Sequence, residues 1–287
     1  VSDPVIMIVG AGQMGNGIAQ VAAAAGFQVL LHDVSPELIE QGVNAISSRL
    51  SRSVEKSKLA AQEKTETISR IHAVSSLEHA AGADVVIEAI TENMEVKASL
   101  LRKLDVICPA HVIFASNTSA LPITELAAAT GRPSKVIGMH FMNPVPVMPL
   151  VEIIRGLETS QQVYDTAEEL TRKMGKTPVE VNDFPGFVSN RILMPMINEA
   201  VYAVYEGVAS VESVDRVMKL GMHHPMGPLE LADFIGLDTC LSIMEILYEG
   251  FKDPKYRPCP LLRKYVKAGR LGKKSGRGFH HYAIGVK

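Results

Sequence analysis

The feature that most restricts the fold is Gly10-Ala11-Gly12-Gln13-Met14-Gly15, taken together with its flanks. It follows a continuous apolar run, "VIMIV" (5–9), as expected of a strand buried on both faces. It opens a helical pattern, "QMGNGIAQVAAAAG", that stops at Gly26, and a second strand pattern, "FQVLLHD" (27–33), comes next. Strand, glycine turn, helix and strand in that order predict a right-handed parallel crossover. Within the turn Gly10 makes the bend, Gly12 lets backbone amides approach a ligand, and Gly15 permits close helix–strand packing. The helix start adds unpaired N–H groups and positive potential, so the stretch predicts a dinucleotide pyrophosphate site that includes Gln13 and Met14.

Asp33 ends the second strand, 18 residues past Gly15. An acid there binds both ribose hydroxyls and repels a 2′-phosphate, which predicts NAD(H) over NADP(H). The competing reading is a plain glycine-rich turn, with Asp33 capping the helix begun by "DVSPEL".

Beyond residue 33 the same grammar continues. Residues 36–71 carry one or two amphipathic helices, with Leu38, Ile39, Val43, Ile46, Leu50 and Val54 at three-to-four spacing. "ADVVIEAI", "HVIFAS", "KVIGMHF", "LVEII" and "PVEV" read as further strands, separated by helices except for the Pro-rich loop "NPVPVMP" before "LVEII", giving at least six strands. After "NDFPGF" (182–187) the patterns become long, apolar and helical. The expected fold is therefore α/β. A Rossmann-like, doubly wound, mostly parallel sheet over residues 1–182, with a helical insertion at about 36–71, precedes a mostly helical domain at 183–287.

Composition narrows the partners. The net charge of −2 gives no whole-chain reason to expect nucleic acid or an acidic membrane, and no apolar run approaches a bilayer span. The stretch "VSDPVIMIVGAG" lacks a signal-peptide layout. Cys108, Cys240 and Cys259 are odd in number and have no metal-ligand spacing, so we expect no metal and a cytoplasm-like, reducing compartment.

Two ionisable residues stand out in the apolar run "GMHFMNPVPVMPLVEII": His140 at the end of one strand and Glu152 inside the next. A histidine titrates near neutrality and serves as base or acid, and a carboxylate on its far nitrogen fixes the tautomer. The bland alternative is a strand-end histidine bonded to a carbonyl, with Glu152 on an edge strand facing solvent. "FASNTSALPI" sets Ser116, Asn117, Thr118 and Ser119 at another strand end, as ligand contacts or as a helix cap. Asn190 falls early in the first helix of the second domain, either toward the interdomain cleft or as a surface amide. Arg49, Arg52 and Lys56 share a helix face, which is either a solvated face or a seat for a phosphorylated substrate handle.

Seven stretches in order resemble the L-3-hydroxyacyl-CoA dehydrogenase family, its short-chain bacterial 3-hydroxybutyryl-CoA branch most of all. They are "GAGQMGNGIAQ", "VIEAITENMEVK", "FASNTSALPITE", "GMHFMNPVPVMPLVEII", "PGFVSNRILMPMINEA", "HHPMGPLELADFIGLD" and "GKKSGRGF". The resemblance runs from about residue 5 to 282. It implies NAD-dependent oxidation of short-chain (S)-3-hydroxyacyl-CoA and the reverse reduction, with His140 as general base and Glu152 as its orienting partner. It implies that Ser119 and Asn190 hold the substrate oxygen and the catalytic water or thioester group. Glu92, Lys97, Asn117, Ser119, Asn143 and Lys274 would join Gly10, Gly12, Gln13, Met14, Gly15 and Asp33 around NAD. Lys56 falls where the family binds coenzyme A, with Arg52 and Arg49 beside it, although some relatives have a serine where Arg49 stands. "HFMNP" and "GFHHY" depart from the commoner "HFFNP" and "GFYDY". A homodimer through the second domain is also implied, in keeping with its long apolar helices. Two other expectations compete. One is a dehydrogenase of a free hydroxy or sugar acid, of gulonate type, and the other is a non-catalytic nucleotide-binding dimer like the lens crystallin of the superfamily.

Overall fold

A computed structural model describes residues 3–283. Two compact units make up the chain, Val1–Phe184 and Pro185–Lys287.

In the first unit, the described residues form one eight-stranded sheet. Its strands are β1 (Ile6–Val9), β2 (Val29–His32), β3 (Ile71–Ala73), β4 (Val85–Glu88), β5 (Ile113–Ser116), β6 (Val136–Phe141), β7 (Leu150–Arg155) and β8 (Thr177–Asn182). Their order is β3-β2-β1-β4-β5-β6-β7-β8. Every pairing is parallel except β6 with β7. β1, β4, β5 and β6 are buried along their whole length, which is why they read as unbroken apolar runs rather than alternating ones.

The crossover helices are α1 (Gln13–Ala24), α2 (Pro36–Glu55), α3 (Ala61–Ser69), α4 (Met94–Ile107), α5 (Ile123–Ala128) and α6 (Gln161–Lys173). Local chemistry starts three of them. Ser35 accepts from Leu38 N ahead of Pro36, Asn93 accepts from Val96 N, and Ser160 accepts from Val163 N. α5 has no such cap; Asp183, some sixty positions on, accepts from Ile123 N and Thr124 N at 3.0 and 2.7 Å. One apolar core, including Ile8, Ile18, Leu31, Ile46, Ile87 and Met139, joins α1 and α2 to the sheet.

The structure differs from the sequence expectation at β3. The strand begins at Ile71, the last residue of the stretch read as helical, and lies at the outer end of the sheet. A three-residue edge strand with only Ile71 strongly apolar carries no alternating pattern to read.

The second unit contains α7 (Ser189–Tyr205), α8 (Val211–Gly221), α9 (Pro228–Ile235), α10 (Leu237–Phe251) and α11 (Pro260–Lys267). They pack around Met194, Val201, Leu229, Leu237, Met244 and Leu262. Buried Asp215 accepts from Leu229 N and Glu230 N at the start of α9 and pairs with His280 Nε2 at 2.7 Å. Among the described residues, no helix is long and apolar enough to cross a membrane, and no cluster of histidine, cysteine or acid is fit to hold a metal.

Candidate active site

The sheet order reverses direction between β1 and β4, and ligands gather beyond the carboxyl ends of strands at such a point. The glycine turn occupies that place. Gly10 has φ +105°, and a Cβ on it would lie 2.6 Å from the Ala89 carbonyl oxygen. A Cβ on Gly15 would lie 1.6 Å from the Gly10 carbonyl oxygen, so no side chain fits. Gly12 is the opposite case: nothing lies within 4 Å of its would-be Cβ, which leaves the α1 N-terminus open to an anion.

Asp33 folds back onto this turn. Its Oδ2 accepts from Ala11 N at 2.6 Å and its Oδ1 from Val34 N at 2.7 Å. It does not cap α2, because Ser35 does. A cleft of about 810 Å³ lies against Asp33, Val34, Leu77, Ile90 and Lys103. A second, of about 740 Å³, lies against Gly12, Gln13, Asn16, Gln41 and Arg49. An open helix N-terminus with an acid beside it and room on either side fits a dinucleotide.

His140 and Glu152 are register partners across the antiparallel β6–β7 pair. The reversal of β7 brings its first residues beside the carboxyl end of β6. The Nδ1 to Oε2 distance is 2.8 Å, and the residues are only 6% and 2% exposed. β7 also pairs with β8, so Glu152 is interior, and the solvent-facing alternative is excluded.

Next to β6, the end of β5 carries the polar turn. Asn117 is buried, and its Oδ1 accepts from Phe141 N at 2.9 Å, fastening the end of β5 to the residue after His140. Glu92 gathers the rest of the turn: its Oε1 accepts from the Thr118 hydroxyl at 2.6 Å, Ser119 N at 2.8 Å and Ala120 N at 3.2 Å. Lys97 is buried with its Nζ between Glu88 and Glu92, at 2.8 and 3.4 Å. Gln13 Nε2 donates to Asn143 Oδ1 at 3.0 Å, bringing the loop after β6 to the glycine turn. Met14 packs against the apolar core.

The three basic residues of α2 are placed differently. Arg49 turns toward α1, donating to Gln20 Oε1 at 2.8 Å and Asn16 Oδ1 at 2.6 Å. Burial, and then the charge of Arg52, push its pKa down. Arg52 and Lys56 are exposed at the end of the helix. Asn190 is a buried residue at the start of α7. Lys274 pairs with Asp238 at 2.6 Å within the second unit.

Two residues in this region escaped the sequence reading. Glu88 sits at the centre of the Lys97 cluster and is fully buried. Its signal was present in "VVIEAI", an acid inside an apolar strand, the same signal that singled out Glu152. Asn16 donates to the Ala11 and Gly12 carbonyls at 3.3 and 2.7 Å, holding the turn from inside α1. An asparagine at that helical position carries no distinguishing pattern.

Comparison with known proteins identifies the family. The profile of the 3-hydroxyacyl-CoA dehydrogenase NAD binding domain matches residues 5–184, and that of the 3-hydroxyacyl-CoA dehydrogenase C-terminal domain matches residues 186–282. The chain is 65% identical over 277 residues to the probable 3-hydroxybutyryl-CoA dehydrogenase of Bacillus subtilis, covering 96% of each chain. It is 42% identical to the human mitochondrial hydroxyacyl-coenzyme A dehydrogenase, over 96% of this chain and 90% of that one. Among solved structures it is similar to (S)-3-hydroxybutyryl-CoA dehydrogenase from Ralstonia eutropha, with a TM-score of 0.95 and 51% identity, covering 98% and 100% of the two chains. A relative's name describes that relative, but identity over nearly the full length settles kinship: this chain belongs to the 3-hydroxyacyl-CoA dehydrogenase family and is an NAD-dependent oxidoreductase.

Proposed function

We propose that the protein oxidises short-chain (S)-3-hydroxyacyl-CoA, 3-hydroxybutyryl-CoA first, to the 3-ketoacyl-CoA, and catalyses the reverse reduction. The observation that carries this reading is the buried His140–Glu152 pair, 2.8 Å apart, at the carboxyl end of β6, whose following loop is tied to the glycine turn through Asn143 and Gln13. The Bacillus subtilis and Ralstonia eutropha relatives, both named as 3-hydroxybutyryl-CoA dehydrogenases, support the choice of substrate.

An ionised Glu152 only accepts hydrogen bonds, so it places a proton on His140 Nδ1 and keeps Nε2 as the basic nitrogen of the neutral ring. In the oxidative direction Nε2 takes the hydroxyl proton, and Glu152 stabilises the imidazolium that results. NAD⁺, when bound, supplies the hydride acceptor. In the reductive direction the same imidazolium returns the proton to the forming alkoxide.

Gly10, Gly12, Gln13, Met14, Gly15 and Asp33 form the dinucleotide seat in this reading, with Glu92, Lys97, Asn117, Ser119, Asn143 and Lys274 assigned to it by the family resemblance. Ser119 and Asn190 are assigned by the same resemblance to the substrate oxygen and the thioester. Lys56 and Arg52 are assigned to the phosphates of coenzyme A, and their exposure at the end of α2 suits a charged, extended ligand. A homodimer through the second unit is part of the proposal. It is supported by the exposed Val208, Val217, Leu220 and Met222 in and around α8. Sedimentation velocity tests it, and a monomer at micromolar concentration would refute it.

The decisive assay follows NADH absorbance with acetoacetyl-CoA for the wild type and His140→Ala. The proposal expects rapid oxidation by the wild type, reduced by about 10³-fold or more in the variant. A wild type that binds NADH but ignores acetoacetyl-CoA overturns the substrate, and free hydroxy acids become the next candidates. An active variant overturns the role of His140.

A further inference from the structure

The loop that joins the strands of His140 and Glu152 is short of hydrogen-bond donors. It spans residues 142–149, between β6 and β7, and three of its eight residues, Pro144, Pro146 and Pro149, have no N–H. Two of its own amides, Val147 N and Met148 N, converge on one acceptor, the Pro144 carbonyl, at 2.9 and 3.0 Å. Three further carbonyls are met from a single corner of the fold, the junction of α6 and β8. Lys176 Nζ donates to the Val145 and Met148 carbonyls at 2.6 and 2.9 Å, and Thr177 N donates to the Pro149 carbonyl at 2.7 Å.

An ammonium is a costly donor for this place. Burial alone pushes the Lys176 pKa down, with no charged neighbour contributing to the shift. A cation that gives up hydration without a counter-ion costs more than an apolar stem would. The return is geometric. Two of its three protons fix two backbone positions three residues apart, whatever side chains the loop carries.

The same loop touches the nucleotide turn. Val145 is 2% exposed and packs over Gly17 of α1, where a Cβ would lie 2.9 Å from the Val145 Cβ. Asn143 Oδ1 accepts from Gln13 Nε2 at 3.0 Å. Lys176 therefore grips a loop whose first residues reach the glycine turn. The His140–Glu152 register is held independently, because β6 and β7 pair over residues 138–141 and 151–154 and β8 flanks β7 on its other edge.

We propose that Lys176 is a positioning residue for the cofactor. It clamps the 142–149 loop through two carbonyls, and the clamped loop presents Asn143 to the dinucleotide. This rests on the assignment of Asn143 to the dinucleotide seat.

The test compares Lys176→Met, Lys176→Arg and Asn143→Ala by fluorescence titration with NADH. Lys176→Met keeps the stem and loses the donors. It should raise the NADH dissociation constant about five- to tenfold, while kcat for acetoacetyl-CoA reduction stays within about threefold of wild type. Lys176→Arg has donors enough for both carbonyls and should bring the constant back to within about twofold. Asn143→Ala should weaken NADH to a similar degree as Lys176→Met. Hydrogen exchange reads the clamp without any ligand: the Val147 and Met148 amides should exchange about tenfold faster in Lys176→Met, while those of β6 and β7 keep their protection. Lys176→Gln, shorter and uncharged, carries the same expectations and serves if the Met variant does not fold. An unchanged NADH constant in Lys176→Met beside a weakened Asn143→Ala overturns the proposal, and so does unchanged exchange at Val147 and Met148. Equal weakening by Met and Arg overturns it too, since the donors would then not matter. If Asn143→Ala binds NADH as tightly as the wild type, the assignment of Asn143 falls, and the role of the clamp in cofactor binding falls with it.

Discussion

His140 and Glu152 face each other across the single antiparallel pairing of an otherwise parallel sheet. Parallel neighbours would place the start of one strand beside the start of the next, far from the ligand end. The reversal of β7 brings its third residue to the carboxyl end of β6, where the chemistry is expected.

Replacing Glu152 by Gln keeps the shape and removes the charge that orients and stabilises the ring. We expect kcat to fall by about 100-fold or more with the fold intact, since an amide can present its N–H to Nδ1 and favour the wrong tautomer. Steady-state kinetics with circular dichroism checks this. A variant within twofold or so of wild-type kcat would make the pair a packing feature.

Asp33 should set the choice of nucleotide. Replacing it with Ser removes the negative charge beside the glycine turn while leaving an oxygen in that region. We expect kcat/KM with NADH to drop by about tenfold and the ratio against NADPH to narrow by more, since a 2′-phosphate no longer meets a carboxylate. The ratio of the two kcat/KM values in one preparation is the measurement.

The basic residues of α2 should separate kinetically. Lys56→Ala is expected to raise KM for acetoacetyl-CoA by about tenfold and to leave KM for NADH alone, as loss of one exposed phosphate contact would. Arg49→Ala should raise both. Its guanidinium holds Asn16, and Asn16 holds the Gly12 carbonyl of the nucleotide turn. An Arg49 variant that altered only the acyl-CoA term would show that its bonds to α1 are incidental.

Much of this arrangement is written in local patterns, and what is not follows a rule. The glycine turn, Asp33 and the apolar strands are legible because one short segment carries both the geometry and the reason for it. His140 and Glu152 are visible as ions in apolar runs, but their pairing depends on strand direction, which a Pro-rich connection does not declare. Glu88 carried the same mark and lacked an evident partner, since Lys97 lies a full loop and a helical turn further on. Asp183 as the cap of α5 and Asn117 as the tie to Phe141 are longer-range still, made by residues whose sequence neighbours say nothing of their targets. β3 is too short to have a period at all.

The buried thiols give a prediction about stability and pH. Desolvation pushes Cys108 up to about 11 and Cys240 up to about 12, from an ordinary value of 9.0. The folded state therefore keeps protons that the unfolded chain releases above pH 9.0. Stability from these groups is fully present below that value and is lost as pH rises toward 11 and then 12. Each thiol contributes a loss of about 1.4 kcal/mol per pH unit within its window. Urea unfolding at pH 8, 9.5 and 10.5 or thereabouts should show Cys108→Ala losing less stability with pH than the wild type, by about 1–2 kcal/mol at the top of that range. The variant will start lower because a buried side chain has been shortened, so the comparison is between slopes and not between absolute stabilities. Parallel slopes would mean that Cys108 ionises as readily in the folded protein as in the unfolded one. A thiol reagent at pH 8 or so should then label it without denaturant, whereas burial predicts labelling only on unfolding.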